Sequence, residues 1–265
     1  MGSTGGCERM IPIQYALRRR MMMNNNKVIF SYTGNCDIQD NCLRLLSSGT
    51  LRFNRSAICD IFLVGGGAGG SGGSANTGGS SDHYYAGPGG GGGYTVTKLQ
   101  IEITDNLDIT VTIGNGGSGG AYDNTTWGDI GPGKGGAGGS TSFGEYSASG
   151  GRNDQAGGLF NGGDGGSGGA AGQNAAHGGS DGSDGESRHS VWKGGTGQGT
   201  TTRAFAEANG TLFSNGGDSG VTSPSDRIAN TGDGGHGAMG RHKGGAGGSG
   251  IVILRFPEGT TITQQ

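Results

Sequence analysis

The sequence predicts a mainly β protein with much irregular structure: a β-rich base that carries a bundle of polyglycine II helices, with little or no α-helix. Two observations predict this fold. Glycine occupies 67 of the 265 positions, largely in runs where two glycines alternate with one small residue. The apolar residues are concentrated before, between and after these runs, in short stretches typical of β-strands.

The glycine runs repeat every three residues, which is the period of the polyproline II helix. Such a helix has no internal hydrogen bonds, so its N–H and C=O groups need partners on neighbouring chains. Where two residues in three lack a side chain, two helices can approach closely enough to exchange these bonds. We therefore expect the runs to be stable only side by side. The clearest runs are 68–80, 115–121, 134–140, 161–170, 193–196 and 243–249.

Two other structures share a high glycine content. Collagen places glycine at every third position together with abundant proline, whereas this chain has five prolines and two glycines in three within the runs. Gly/Ser-rich composition is also typical of flexible linkers. The spacing, more than the total, favours the bundle.

The apolar stretches define the rest of the domain organisation. They predict strands at 28–32, 50–53, 58–64, 94–97, 101–113 and 251–256. We expect one glycine-rich domain over 27–256, with a β base formed by 27–64, 94–113 and 251–256 and a bundle over 65–250. Residues 1–26 are predicted to be an attachment or assembly segment and 257–265 a C-terminal tail.

Charge and hydropathy exclude several classes of function. The net charge is −3 with a pI near 5.9, which gives no support for nucleic-acid binding through a basic surface. No apolar stretch approaches the 18 residues or so that span a bilayer, so we expect no membrane insertion. The N-terminus also lacks the charged start and apolar core of a Sec signal peptide.

The four cysteines, Cys7, Cys36, Cys42 and Cys59, precede the first glycine run. They allow three complete pairings, and Cys36 with Cys42 could close a small loop, but free thiols fit the sequence equally well. Their spacing does not match a zinc site, and we predict no metal and no cofactor.

Five segments resemble, in this order, the glycine-rich domain common in tail proteins of bacteriophages and of gut-bacterial prophages: 60–70, 89–97, 111–117, 138–144 and 247–255. The resemblance covers about residues 50 to 256 and implies a polyglycine II bundle attached to a β-rich base. Similar packing is expected in the distal tail-fibre adhesins of T-even-type phages and in the extracellular glycine-rich domain of anaplastic lymphoma kinase receptors. In the phage adhesins, loops between glycine helices carry the residues that contact the receptor. This chain lacks a segment that resembles their fibre-binding domain.

The resemblance implies a non-enzymatic phage tail-associated protein, located in the virion or at a cell surface, that recognises a host surface glycan or protein. Bulky side chains cannot enter a close-packed bundle, so segments that interrupt the glycine pattern, such as 203–213, are expected to emerge at its ends or edges. Aromatic side chains on a rigid scaffold are good binding anchors. The receptor-binding candidates are Tyr84, Tyr85, Tyr122, Trp127, His189 and Trp192. These six residues could instead cap the bundle or pack between subunits.

The main alternative is a structural subunit that assembles into a filament, docking residues 1–26 onto another copy of the chain or onto a tail-fibre shaft. Glycine helices at the edge of a bundle have unpaired backbone groups that invite such pairing. The candidate assembly residues are Tyr15, Arg18, Arg19, Arg20 and Met22. The five histidines are scattered through glycine loops, so we predict no catalytic residues.

Overall fold

The part of the chain that the structure describes contains thirteen strands and one short 3-10 helix. The computed structural model describes residues 27–76, 83–122, 133–153, 161–172, 185, 193–196 and 201–265. Within these ranges no helix is long and apolar enough to cross a bilayer. The predicted mainly β fold with irregular structure is confirmed. The strands are β1 (Lys27–Tyr32), β2 (Cys36–Gln39), β3 (Cys42–Leu45), β4 (Gly49–Phe53), β5 (Ala57–Val64), β6 (Ser74–Asn76), β7 (His83–Tyr85), β8 (Thr95–Ile103), β9 (Ile109–Thr112), β10 (Thr141–Phe143), β11 (Tyr146–Ala148), β12 (Ile251–Arg255) and β13 (Thr261–Gln264), and the 3-10 helix is Ala204–Ala206.

The base is a sandwich of two sheets. One sheet has the order β11-β10-β9-β4-β1-β13 and the other the order β2-β3-β12-β5-β8. β1 and β13 run parallel, whereas the other described pairs are antiparallel. The core between the sheets takes buried side chains from both, including Phe30 and Phe53 from the first and Leu63 and Leu254 from the second.

The second sheet is covered on its other face as well. Along β12, Val252 and Leu254 face the inner core, while Ile251 and Ile253 belong to an outer cluster with Phe205 and Phe213. Residues 203–213 interrupt the glycine pattern and were expected to emerge from the bundle at its ends or edges. Instead they fold back onto the base, because their two phenylalanines bury apolar surface there.

Arg255 fastens this segment to the base. Its guanidinium donates to Asp60 Oδ2 at 2.9 Å and to Glu207 Oε1 at 2.6 Å, and it stacks on the Phe205 ring at 4.1 Å from the centroid. The other oxygen of Asp60 accepts the N–H of Gln100 at 2.9 Å, beside the irregularity in the β5–β8 pairing. One arginine therefore connects β12, β5 and the folded-back segment.

Eleven glycine runs are described beyond the base, and six of them continue directly from its strands. β5, β9 and β11 lead into runs 1, 3 and 5, and runs 2, 4 and 11 lead into β8, β10 and β12. Each sheet thus supplies three of the six. In chain order the runs are 65–73, 87–94, 113–121, 133–140, 149–153, 161–166, 167–172, 193–196, 214–219, 231–239 and 242–250.

Run 1 donates its N–H groups in strict rotation to runs 2, 4 and 11, at 2.8–3.0 Å. When the donor moves three residues forward along run 1, the acceptor in the same partner run moves three residues backward in the sequence. Run 1 is therefore antiparallel to all three partners. This period of three is that of the polyproline II helix, and the packing is consistent with the predicted polyglycine bundle. The donors are Gly65, Ala68 and Ser71 to run 2, Gly66, Gly69 and Gly72 to run 4, and Gly67, Gly70 and Gly73 to run 11.

The carbonyl groups of run 1 accept hydrogen bonds from the three other neighbours, runs 3, 5 and 10. Adjacent members of this set of six are also bonded to each other, in the cyclic order 2, 5, 4, 3, 11, 10. Run 1 is therefore the centre of a six-membered ring in which neighbouring runs alternate in direction. Runs 6 to 9 extend the array beyond run 2.

The close approach of the runs requires glycine at most positions. A Cβ atom on Gly70 would lie 2.1 Å from the carbonyl oxygen of His236, and one on Gly119 only 1.8 Å from that of Gly244. Side chains face outward where a run lies at the surface. In run 3, beyond Ile113, which is buried in the core of the base, the residues that carry side chains, Asn115, Ser118 and Ala121, are exposed, while Gly117 and Gly120 are buried.

Three hairpins and the last strand were not predicted from the sequence. β2–β3 and β10–β11 belong to the base, and β6–β7 prolongs runs 1 and 2 away from it. Thr261–Gln264, within the predicted tail, pairs with β1.

Cys36 and Cys42 face opposite sides of the β2–β3 hairpin, since Cys36 lies opposite Leu45 and Cys42 opposite Gln39. Both cysteines are free thiols.

Candidate functional site

The molecule has two ends of different character. β9 leads into run 3, β4 is antiparallel to β9, and β1 is antiparallel to β4. Tyr32 therefore faces the bundle, while Lys27, the first described residue, lies at the opposite edge of the base. We call the far end of the bundle the distal end and define it by 74–76, 83–86, 121–122, 133–134 and 239–243.

Tyr84 is the most prominent predicted site residue at the distal end. It lies in β7, opposite Ala75 of β6, and 52% of its surface is exposed. A Cβ atom on Gly240 would lie 2.7 Å from Cδ1 of the Tyr84 ring, so the ring packs directly across this glycine. Gly240 has a φ of +59°, a conformation that favours glycine. Glycine at position 240 thus allows the turn and leaves space for the Tyr84 ring to pack against the backbone.

The other two described tyrosine candidates differ in their exposure. Tyr85 is half-buried, and its carbonyl oxygen accepts the N–H of Gly240 at 3.1 Å. Tyr122 follows the last residue of run 3 and is 48% exposed. Tyr84 and Tyr122 therefore present their rings to solvent at the same end, whereas Tyr85 is in part a packing residue.

The remaining predicted residues lie outside the described ranges. These are the receptor-binding candidates Trp127, His189 and Trp192 and the assembly candidates Tyr15, Arg18, Arg19, Arg20 and Met22.

A basic turn at the distal end was missed by the sequence analysis. Arg241, His242 and Lys243 are exposed, and the carbonyl oxygen of His242 accepts the N–H of Gly73 at 3.0 Å. Lys134, also exposed, is the second residue of run 4 and lies beside this end of run 1. The sequence itself could have predicted this turn, because three consecutive large polar residues cannot occupy the interior of a glycine bundle.

A second polar cluster lies at the side of the bundle, where runs 9 and 10 meet residues 221–230. His236 of run 10 is its centre: Nδ1 lies 3.0 Å from the backbone N of Asp218 and Nε2 lies 2.7 Å from NH1 of Arg227, and the neutral ring accepts a hydrogen bond from one of these two donors. Asp218 also pairs with Lys193 at 3.0 Å, and Arg227 with Asp233 at 3.4 Å. Positive and negative side chains alternate through the cluster.

Burial lowers the pKa of His236, and the neighbouring Arg227 guanidinium lowers it further. Asp218 and Asp233 act in the opposite direction but do not reverse the shift. The ring is therefore neutral at pH 7, which suits its role as an acceptor. Within the described ranges, no group of three or more acidic, histidine or cysteine side chains is arranged to hold a metal ion.

Comparison with known proteins identifies the family of the chain. No curated protein matches the chain. The family profile described as a glycine-rich domain matches residues 47–257, from before β4 to just after β12. Because that match covers well over half of the sequence, the chain belongs to the glycine-rich domain family.

Proposed function

We propose that this chain is a non-enzymatic adhesin of a phage tail, and that the loops and tyrosines of its distal end bind a receptor on the host cell surface. The phage assignment rests on the resemblance of the glycine segments to phage tail proteins. The assignment of the distal end as the binding end rests on the geometry of the fold.

The polarity of the molecule is the observation that carries the proposal. Lys27 lies at the base edge opposite the bundle, so the preceding segment joins the domain far from Tyr84 and Tyr122. A protein that is attached at one end and exposes aromatic rings at the other is suited to display. Run 1 alone separates base and distal end by about 28 Å, at 3.1 Å per residue of a polyproline II helix.

The rigidity of the scaffold supports the same proposal. Aromatic side chains bind best when little conformational entropy is lost on contact. The Tyr84 ring is seated on Gly240, and the β6–β7 hairpin that carries it continues two runs bonded on several sides. A ligand that contacts Tyr84 therefore meets a preorganised surface.

Binding to cells tests the proposal directly. The full-length chain, fluorescently labelled, is incubated with a panel of gut bacterial isolates, and bound protein is measured by flow cytometry. We expect saturable binding to a subset of strains and at least a tenfold weaker affinity for the double variant Tyr84→Ala/Tyr122→Ala. Replacing two anchor tyrosines typically removes more than 1.4 kcal/mol of binding free energy, which is tenfold in affinity.

The matched control is Leu107→Ala. Leu107 is 56% exposed, like the two tyrosines, but it lies in the turn before β9 at the other end of the molecule. The control should bind like the wild type. Unchanged binding of the double variant, with an unchanged melting temperature, would contradict the assignment of the distal end.

One observation favours a second function, that of a self-assembling filament subunit. The outer faces of runs 3 and 4 are exposed and carry mostly small side chains, among them Ser118, Ala121 and Ala137. Such a face could accept a glycine run from another copy. Negative-stain electron microscopy of the purified chain separates the two proposals, because uniform filaments support the subunit and discrete particles that bind cells support the adhesin.

A further inference from the structure

Residues 221–230 form a strap that lies along the outer side of run 11. The N–H of Arg227 donates to the carbonyl oxygen of Ala246 at 3.0 Å, and the N–H of Ala246 donates to Oδ1 of Asp226 at 2.8 Å. The strap carbonyls sit directly on glycines: Cβ atoms on Gly245 and Gly248 would meet the oxygens of Ser225 and Ile228 at 2.5 and 2.4 Å. The strap thus covers a glycine face of the bundle.

Most of the strap nevertheless faces solvent on its outer side. Six of its ten residues are exposed, and the Ile228 side chain is 79% exposed. It is fixed at its ends, where Val221 bonds to Gly237 and Asn230 bonds to the carbonyl oxygens of Leu46 and Gly250. In between, its side-chain anchor to run 10 is the guanidinium of Arg227.

Of the two contacts that Arg227 makes with run 10, the pair with Asp233 is independent of His236, whereas the contact with the imidazole depends on a neutral ring. Both ring nitrogens of His236 face permanent donors, the backbone N–H of Asp218 and the guanidinium of Arg227. A neutral ring accepts one of these two bonds in either tautomer, whereas a protonated ring has two N–H groups and accepts neither. Protonation also places a positive charge 2.7 Å from Arg227.

Other charged groups reach the ring from every packed element. Asp218 of run 9 lies 3.8 Å from Nδ1, and Lys193 of run 8 pairs with Asp218. Asp233 of run 10 pairs with Arg227. Both carboxylates raise the pKa of His236, but each is already paired with a cation, and together they do not reverse the lowering caused by burial and Arg227.

We propose that residues 221–230 are a pH-gated strap, which protonation of His236 releases from run 11. In the closed state the ring is held neutral, and its lowered pKa is in keeping with that. In the released state the ring is solvated and regains an ordinary pKa near 6.5. Because the open state takes up the proton more readily, opening increases as the pH falls below about 6.5. The linkage of one proton limits the increase to about tenfold per pH unit.

Hydrogen exchange of the strap amides, measured by NMR between pH 7.5 and 4.5 and corrected for intrinsic rates, tests this proposal. The Arg227 amide is the best reporter, since it bonds to run 11. Its protection should fall by up to about tenfold per pH unit below about pH 6.5, and the fall should level off once the lower closed-state pKa is passed. The Phe213 amide, which bonds to Thr202 on the base side, should keep its protection.

Two variants make the test specific. His236→Asn retains an acceptor near Nδ1 but cannot be protonated, so strap protection should no longer depend on pH. His242→Asn, which alters an exposed histidine near Ser223 of the strap, should behave like the wild type. Wild-type protection that does not change with pH, or an equal fall in His236→Asn, would overturn the proposal.

A direct titration covers the case in which His236→Asn does not fold. The imidazole Cε1–H resonance of His236 in the wild type should titrate below 6.5, and the fall in Arg227 protection should level off at that same pH. A midpoint at or above 6.5, or protection that changes at an unrelated pH, would contradict the gating role.

Discussion

Replacement of Gly70 by alanine tests the packing of the bundle at its centre. Gly70 belongs to run 1, donates to Gly245 and accepts from Gly120. A Cβ atom there would lie 2.1 Å from the carbonyl oxygen of His236, although real Cβ contacts below 3.0 Å are essentially absent from proteins. Run 10 must therefore move away by about 0.9 Å to reach even that limit.

The cost follows from the hydrogen bonds that this movement breaks. Run 10 donates to run 1 from Gly235 at 2.7 Å and from Ala238 at 3.0 Å, and it accepts from Gly245 through His236. At about 1 kcal/mol each, the loss of three bonds destabilises the fold by about 3 kcal/mol. Alanine also lowers the conformational entropy of the unfolded chain, which offsets about 1 kcal/mol of this destabilisation. The net of about 2 kcal/mol corresponds to a fall in Tm of roughly 4–8 °C.

Differential scanning calorimetry of two matched variants gives the comparison. Gly136→Ala introduces the same methyl group in run 4, where the nearest atoms are the N and Oγ of Ser118 at 3.0 Å. Because Oγ can rotate away, we expect a change within about 1 kcal/mol. The reasoning about close approach would be refuted if Gly70→Ala melted within about 2 °C of Gly136→Ala.

Two further predictions concern the base. Arg255→Ala should destabilise by about 2 kcal/mol, because it removes charge-assisted bonds to the half-buried Asp60 and a ring contact; Arg52→Ala, which loses one exposed pair at 3.5 Å, should cost less than about 0.5 kcal/mol in urea unfolding. For the thiols, burial raises the pKa of both Cys59 and Cys36. Iodoacetamide labelling at pH 7.5, followed by mass spectrometry, should leave Cys59, which is 2% exposed, unmodified for as long as the protein stays folded. Cys36 should be labelled slowly. Rapid labelling of Cys59 in the native protein would contradict the packing of β5.

The strands predicted from the sequence are those with a clear apolar pattern. Val28–Tyr32 and Ile251–Phe256 were found because branched and aromatic residues are dense there. β2 and β10 were missed because they carry polar residues. β2 pairs with the adjacent β3, whereas β10 also pairs with β9, which is remote in sequence. β10 is held between β9 and β11, a contact that local propensity does not report.

The candidate site was predictable in kind but not in position. The rule that large side chains must leave the bundle correctly favoured Tyr84 and Tyr122 as exposed residues. The same rule placed residues 203–213 outside, whereas Phe205 and Phe213 pack on the base. Lys27 lies at the opposite end of the molecule from the distal end because of the order and direction of the strands in the sheet. The apolar pattern of each strand taken alone does not predict that order. The His236 cluster likewise unites residues from three runs and the strap.

Amide hydrogen exchange along run 3 is the most direct test of the glycine bundle. Gly117 and Gly120 donate to Gly67 and Gly70 of run 1 at 2.8 and 2.9 Å, whereas Asn115 and Ser118 are exposed. Protection should therefore recur every three residues, with Gly117 and Gly120 slow and Asn115 and Ser118 fast. An alternation every two residues would indicate a β-strand, and uniformly fast exchange a flexible linker; either result would contradict the bundle.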